Sequence, residues 1–157
     1  MNETRNRGGQ RRTGTSRTIQ PRDTKRDEKI GNRGEDLIYR EEVKRVTVQG
    51  YPASRVIWVA KDDPTADHDI RSVDQNGQDL WIEVKSTTGG HGRFEWSPAE
   101  FELALRKREH YILWRVYEAD STQPTIKPFC DPISLIIGGS MNIDIAALSA
   151  EVEPLEA

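Results

Sequence analysis

Asp79-Leu80-Trp81-Ile82-Glu83-Val84-Lys85-Ser86 is the stretch that decides how this chain is read. Leu80, Ile82 and Val84 alternate with Trp81, Glu83 and Lys85. A period of two puts successive side chains on opposite faces of a β-strand. The strand therefore sends its aliphatic residues into a core and holds Glu83 and Lys85 together on the other face. A second alternating stretch, residues 69–74, precedes it across Asn76-Gly77. That dipeptide favours the positive φ angles of a type I′ turn, so the two stretches are expected to form a hairpin. A tightly closed hairpin brings Asp69, at the start of its first strand, to the same end as Glu83.

Outward from the hairpin, the chain reads as alternating helices and strands. Asn32 is placed to cap a helix running to about Val46, with Glu35 three residues on as in a capping box. Ile38, Tyr39, Val43 and Val46 give that helix one apolar stripe. Residues 55–60 (Arg-Val-Ile-Trp-Val-Ala) are a short apolar run that suits a buried strand. Ser97-Pro98-Ala99-Glu100 is the clearest helix start in the chain: serine caps, proline takes the first helical position and glutamate closes the box. That helix is expected to run to about Arg108. Residues 110–117 read as a strand, 125–129 as a shorter one and 132–137 as a last helical turn. The order predicts an α/β sandwich with a small mixed sheet.

Charge divides the chain more sharply than hydropathy. Residues 1–29 hold nine Lys or Arg and four acids, a net of +5, while the other 128 residues carry a net of −8. Met1 and Ile19 are the only large apolar residues of the first segment, too little to offset its chain entropy, so residues 1–29 are expected to be a disordered basic arm. Attraction to nucleic-acid phosphates is its functional reading, and a solubilising tail is the other. Residues 30–138 then form one compact domain and 139–157 an acidic tail. Mean hydropathy is −0.77, and no apolar run approaches the ~20 residues of a membrane-spanning helix. No apolar segment follows the first positive charges, so no secretory leader is expected. Cys130, the single cysteine, forms no intrachain disulfide and supplies no cysteine-rich zinc site. The expectation is a cytoplasmic protein without a membrane association.

Glu83-Val84-Lys85 is the candidate reactive element, although the tripeptide alone means little. With 14 Glu and 7 Lys among 157 residues, about 0.6 Glu-x-Lys occurrences arise by chance, and Glu42-Val43-Lys44 is a second copy. Geometry separates the two: positions i and i+2 of a helix do not face each other, whereas on a strand they share a face. Asp69 and Glu83 would offer the hard oxygen ligands that Mg²⁺ accepts, with the Val84 carbonyl as a further candidate. Lys85 would hold an attacking water or offset developing charge, and Glu35 is within reach as a third carboxylate.

Gly31-x-x-Gly34-Glu35, His68-Asp69-Ile70, Ile82-Glu83-Val84-Lys85-Ser86-Thr87, Phe94-x-x-Ser97-x-x-Glu100 and Tyr111-x-Leu113-x-Arg115-Val116 occur in an order that resembles the C-terminal domain of the NO VEIN protein family. That domain is similar to the PD-(D/E)xK, or restriction-endonuclease-like, nucleases. The resemblance covers about residues 30–138 and implies an α-β-β-β-α-β sandwich. It implies metal carboxylates at Asp69 and Glu83, a catalytic lysine at Lys85, a helix-borne acid at Glu35, and Mg²⁺ with Mn²⁺ as a substitute. The implied activity is hydrolysis of DNA phosphodiesters, with RNA left open, in a restriction, anti-phage or DNA-processing assembly beside a helicase or methyltransferase. His68 stands where these nucleases carry proline and is not counted as a ligand. The alternative is a catalytically silent nucleic-acid-binding or assembly module that keeps the fold. In simpler readings Glu35 closes a capping box, Asp69 merely begins a strand, and Glu83 and Lys85 pair on a solvated sheet face. Trp81 would border the site, and Arg106-Lys107-Arg108 would meet phosphates or merely answer a helix dipole.

Overall fold

The computed structural model describes residues 24–145. Helix α1 spans Thr24–Val48 and starts eight residues before Asn32. Thr24 to Lys29 contain no proline or glycine, Lys, Arg and Glu are good helix formers, and Asp27 in the first turn suits the helix dipole. The last six residues expected in the basic arm are thus helical. Residues 1–23, and residues 146–157 of the expected acidic tail, lie outside the described residues. Asn32 becomes an interior helical position, so Glu35 has no capping box to close.

After a 3-10 turn at Ala53–Arg55 come strand β1 (Ile57–Trp58), the single helical turn α2 (Val59–Asp62), β2 (Ile70–Val73) and β3 (Asp79–Ser86). Helix α3 (Pro98–Lys107) and a second 3-10 turn lead into β4 (Tyr111–Tyr117), β5 (Thr125–Cys130) and α4 (Pro132–Ile137). The five strands lie in the order β1-β2-β3-β4-β5. Only β3 and β4 run parallel, joined through α3; the other neighbours are antiparallel. The expected mixed α/β sandwich is present.

Both faces of the sheet are covered. Ile38 and Val46 of α1 pack with Ile82 and Val84 of β3 and Val116 of β4. On the opposite face, Leu103 and Ala104 of α3 and Ile133 of α4 pack with Tyr111 and Leu113. The alternation along β3 therefore resolves as expected: Ile82 and Val84 toward α1, Glu83 and Lys85 toward α3. The capping box at Ser97 also forms, with the serine Oγ accepting from the Glu100 amide and the Glu100 carboxylate accepting from the Ser97 amide.

Two local expectations are corrected. Residues 55–60 are not one buried strand: only Ile57 and Trp58 pair, Ile57 is half exposed, and Val59 turns into α2. This is an edge, where one side of the ladder has no partner and a short strand suffices. The hairpin turn is not type I′. Only Gly77 has positive φ, at 77°; the Gly77 amide bonds the Asp74 carbonyl, and the Asp74 amide bonds the Gln78 carbonyl. Asp74 Oδ1 accepts from the amides of Asn76 and Gln78, both at 2.8 Å, so an aspartate side chain organises a three-residue loop closed by a left-handed glycine.

Two buried polar groups fix the layers. Glu42, the dismissed helical Glu-x-Lys acid, is buried between Arg45 and Ser72: the Ser72 hydroxyl donates to it at 2.6 Å, and Arg45 also reaches the Val73 carbonyl at 2.7 Å. This network locks α1 to β2. Arg115 on β4 donates to the Lys85 carbonyl at 2.8 Å and, at 3.4 Å, to those of His91 and Arg93. Its guanidinium also lies over the rings of Phe94 and Tyr117.

Helix α1 approaches the sheet closely at Gly34, where an added Cβ would lie 1.9 Å from Ser86 Oγ and 3.1 Å from Ser86 Cβ. At Gly31 the nearest atom would be Glu35 Oε1 at 4.0 Å, so of the two helical glycines Gly34 alone is tightly packed. Gly34→Ala is expected to destabilise the protein by about 1–3 kcal/mol in urea unfolding. Adding Ser86→Ala, which deletes the clashing hydroxyl, should recover most of that loss.

Candidate active site

Asp69 lies one residue before β2. It sits at a bend rather than in the ladder, close enough to Glu83 and Lys85 for their charges to act on one another. The Asp69 amide donates to the Ile82 carbonyl at 3.0 Å, and its carboxylate Oδ2 accepts from the Val84 amide at 2.7 Å. Both bonds aim the side chain along the strand pair.

Glu83 is buried, and its Oε1 is 2.7 Å from Lys85 Nζ. The same ammonium donates to Glu100 Oε2, also at 2.7 Å. Glu100 is the residue whose importance the sequence concealed: its role in the capping box accounted for it completely. The bond to Lys85 arises because α3 starts above the end of β3 that carries the lysine.

Glu35 stands apart from this group. Its Oε2 accepts from Trp58 Nε1 at 2.8 Å, and Trp58 stacks on Tyr39. Its charge is felt at Asp69, yet its carboxylate is committed to the indole. A cleft of about 520 Å³ beside it is lined by Glu28, Asn32, Glu35, Trp58, Lys61 and Asp69. Among the described residues, no three His, Cys, Asp or Glu side chains form a metal-binding group. The site is therefore two carboxylates with a lysine, and Glu35 borders it.

The other bordering residues are already engaged within the chain. Trp81 is covered by Lys107, at 3.6 Å from the ring centroid, and by Arg71 at 4.4 Å. Arg106 lies 3.7 Å from Asp67, and Arg108 lies 3.1 Å from Asp131. His68 Nδ1 is 2.7 Å from Asp67 Oδ1, while its Nε2 is buried without a hydrogen-bond partner.

Electrostatics set this cluster apart. Burial, and then the charge of Glu35, push the Asp69 carboxyl up to about 7 against the opposing Val84 hydrogen bond. Glu83 is raised well above the usual carboxylate range by burial and then by Asp69. Burial pulls on Lys85 in the opposite direction, but Glu83 and Glu100 outweigh it and hold the ammonium above its ordinary value. The two carboxylates are thus short of positive charge, and hard oxygen donors in that condition are the ligand type that fits a small divalent cation.

The sequence profile of the family described as protein NO VEIN, C-terminal, matches residues 34–129, more than half of the chain. The chain belongs to the NO VEIN C-terminal family. No curated protein and no solved structure matches it. The region shared with the NO VEIN C-terminal family runs from Gly34, at the tight crossing of α1, to Phe129 in β5, and contains Glu35, Asp69, Glu83, Lys85, Glu100 and Arg115.

The raised Asp69 carboxyl predicts a pH signature. Between about pH 4 and 7 the folded protein retains a proton that the unfolded chain has released, so stability falls as pH rises through that window, by up to roughly 4 kcal/mol for this group. Thermal unfolding in chelator from pH 5 to 8 should show Asp69→Asn, which cannot ionise, gaining on wild type as pH rises. Parallel curves would contradict the shift.

Proposed function

We propose that this protein is a metal-dependent nuclease of the PD-(D/E)xK type that hydrolyses phosphodiesters in DNA. The observation that carries the reading is the convergence of two carboxylates, the buried Glu83 of β3 and the half-buried Asp69 just before β2, beside Lys85. A packing role does not call for two acids set side by side where each raises the other's affinity for a proton. The architecture supports the same reading: a helix, an antiparallel hairpin and a βαβ crossover around one sheet are the order that the restriction-endonuclease-like resemblance implies.

Asp69 and Glu83 would hold Mg²⁺, or Mn²⁺ in its place, which when bound polarises a phosphoryl oxygen and favours hydroxide formation from water. The chain's own contribution is positional. The Val84 amide fixes the Asp69 carboxylate, and the packed sheet keeps bulk water from Glu83. Lys85 Nζ, held as an ammonium, donates to an attacking water or to a non-bridging phosphate oxygen as negative charge develops. Glu35 flanks Asp69 on the cleft side.

A catalytically silent nucleic-acid-binding or assembly module is the second reading, and the −8 net charge of residues 30–157 favours its assembly form. Such a body repels DNA unless positive charge is supplied elsewhere, and the six arginines of residues 1–23 are one source. The surroundings expected of the nuclease are a cytoplasmic assembly with a helicase or methyltransferase partner.

Purified protein with Mg²⁺ or Mn²⁺ should nick plasmid DNA, and Glu83→Gln and Lys85→Met should each reduce the rate by at least roughly 10²-fold. Undiminished cleavage by both variants would assign the activity to a contaminant. Removing residues 1–23 should lower DNA affinity and flatten its salt dependence; an unchanged slope would reduce that segment to a tail.

A further inference from the structure

Lys85 Nζ sits 2.7 Å from two carboxylates with different attachments. Glu83 belongs to the lysine's own strand and is the acid that the nuclease reading assigns to the cation. Glu100 belongs to α3, and its Oε2 also accepts from the Ser97 amide at 3.0 Å. The capping box needs only that amide. The bond from Glu100 to a lysine on another element is additional, and it makes one oxygen the meeting point of a helix start and the ammonium.

We propose that Glu100 is the positioning residue for Lys85: it holds the ammonium in the site when a divalent cation takes the Glu83 carboxylate. The inference rests on the metal-dependent reading. A doubly charged ion on the Glu83 carboxylate repels the ammonium beside it, so the hold of Glu83 on Lys85 weakens when the ion binds. Glu100 is able to stay, since its carboxylate is braced by the Ser97 amide and its backbone by the Ser97 side chain. Without Glu100 the lysine has Glu83 as its remaining close acceptor in this cluster and competes with the ion for it. Glu100 thereby separates two tasks that would otherwise fall on one carboxylate: binding the metal and aiming the lysine.

Calorimetric titration of the full chain with Mn²⁺ tests this without recourse to activity. Glu100→Ala should weaken Mn²⁺ binding by about fivefold or more, the scale of one partly buried ion pair. Ser97→Ala removes the other half of the same capping box without touching Lys85 and should change the affinity by less than about twofold. In a Lys85→Met background, where no ammonium competes, Glu100→Ala should also have less than about a twofold effect. Glu100→Gln keeps an oxygen for the Ser97 amide and is titrated alongside, with a loss of about twofold or more expected even if the alanine variant folds poorly. Equal losses from Ser97→Ala and Glu100→Ala would reduce Glu100 to a helix cap. An undiminished Glu100→Ala effect in the Lys85→Met chain would make it a general source of negative charge, and either result overturns the proposal. Wild type that binds no Mn²⁺ brings down this inference and the metal-dependent reading together, whereas Mn²⁺ binding indifferent to Glu100 brings down this inference alone.

Discussion

The hydrogen bond from the Val84 amide to the Asp69 carboxylate, 2.7 Å long, is the constraint on which the candidate site depends. It exists because β2 and β3 pair in the register that brings Asp69, just before β2, beside Val84. A slip of one residue in β3 would turn Glu83 and Lys85 toward α1 and take Ile82 and Val84 away from Ile38 and Val46. The aliphatic core therefore protects the geometry of the charged cluster. Ile82 and Val84 can be buried against Ile38 and Val46 only if Glu83 and Lys85 point the other way.

Fold and site were legible to different degrees, and the difference has physical causes. Periodicity of two along residues 79–86 and the cap at Ser97 are local signals, and both elements formed as read. The length of α1 was misjudged because Asn32 offered a plausible start while the residues before it are charged; charged residues with high helix propensity look like disorder when only burial is considered. Residues 55–60 misled for the converse reason, since an apolar run does not reveal whether both sides of a strand have neighbours. At the turn, Asn76-Gly77 suggested mirror-image geometry, but the Asp74 side chain captured the loop amides first.

Within the site, the structure brings together the acids that share a hairpin and leaves Glu35 at their border. Glu35 is close enough to act on the charge of Asp69, yet Trp58 holds its carboxylate, a pairing between α1 and β1 that no spacing along the chain announces. Glu100 shows the opposite limit. A sufficient local explanation, the capping box, hid a contact made across the tertiary structure. Where one residue satisfies a local rule completely, the rule gives no hint of a second role.

Arg115 carries a consequence for the framework around these groups. The guanidinium remains protonated throughout the range in which proteins fold, and it grips three main-chain carbonyls, including that of Lys85. Acid or base can redistribute protons among Asp69, Glu83 and their neighbours, but neither loosens this strut. The molecule thus sets a titrating cluster beside a strut that does not titrate, so changes in acidity alter the charge of the cluster without releasing the main chain that Arg115 holds.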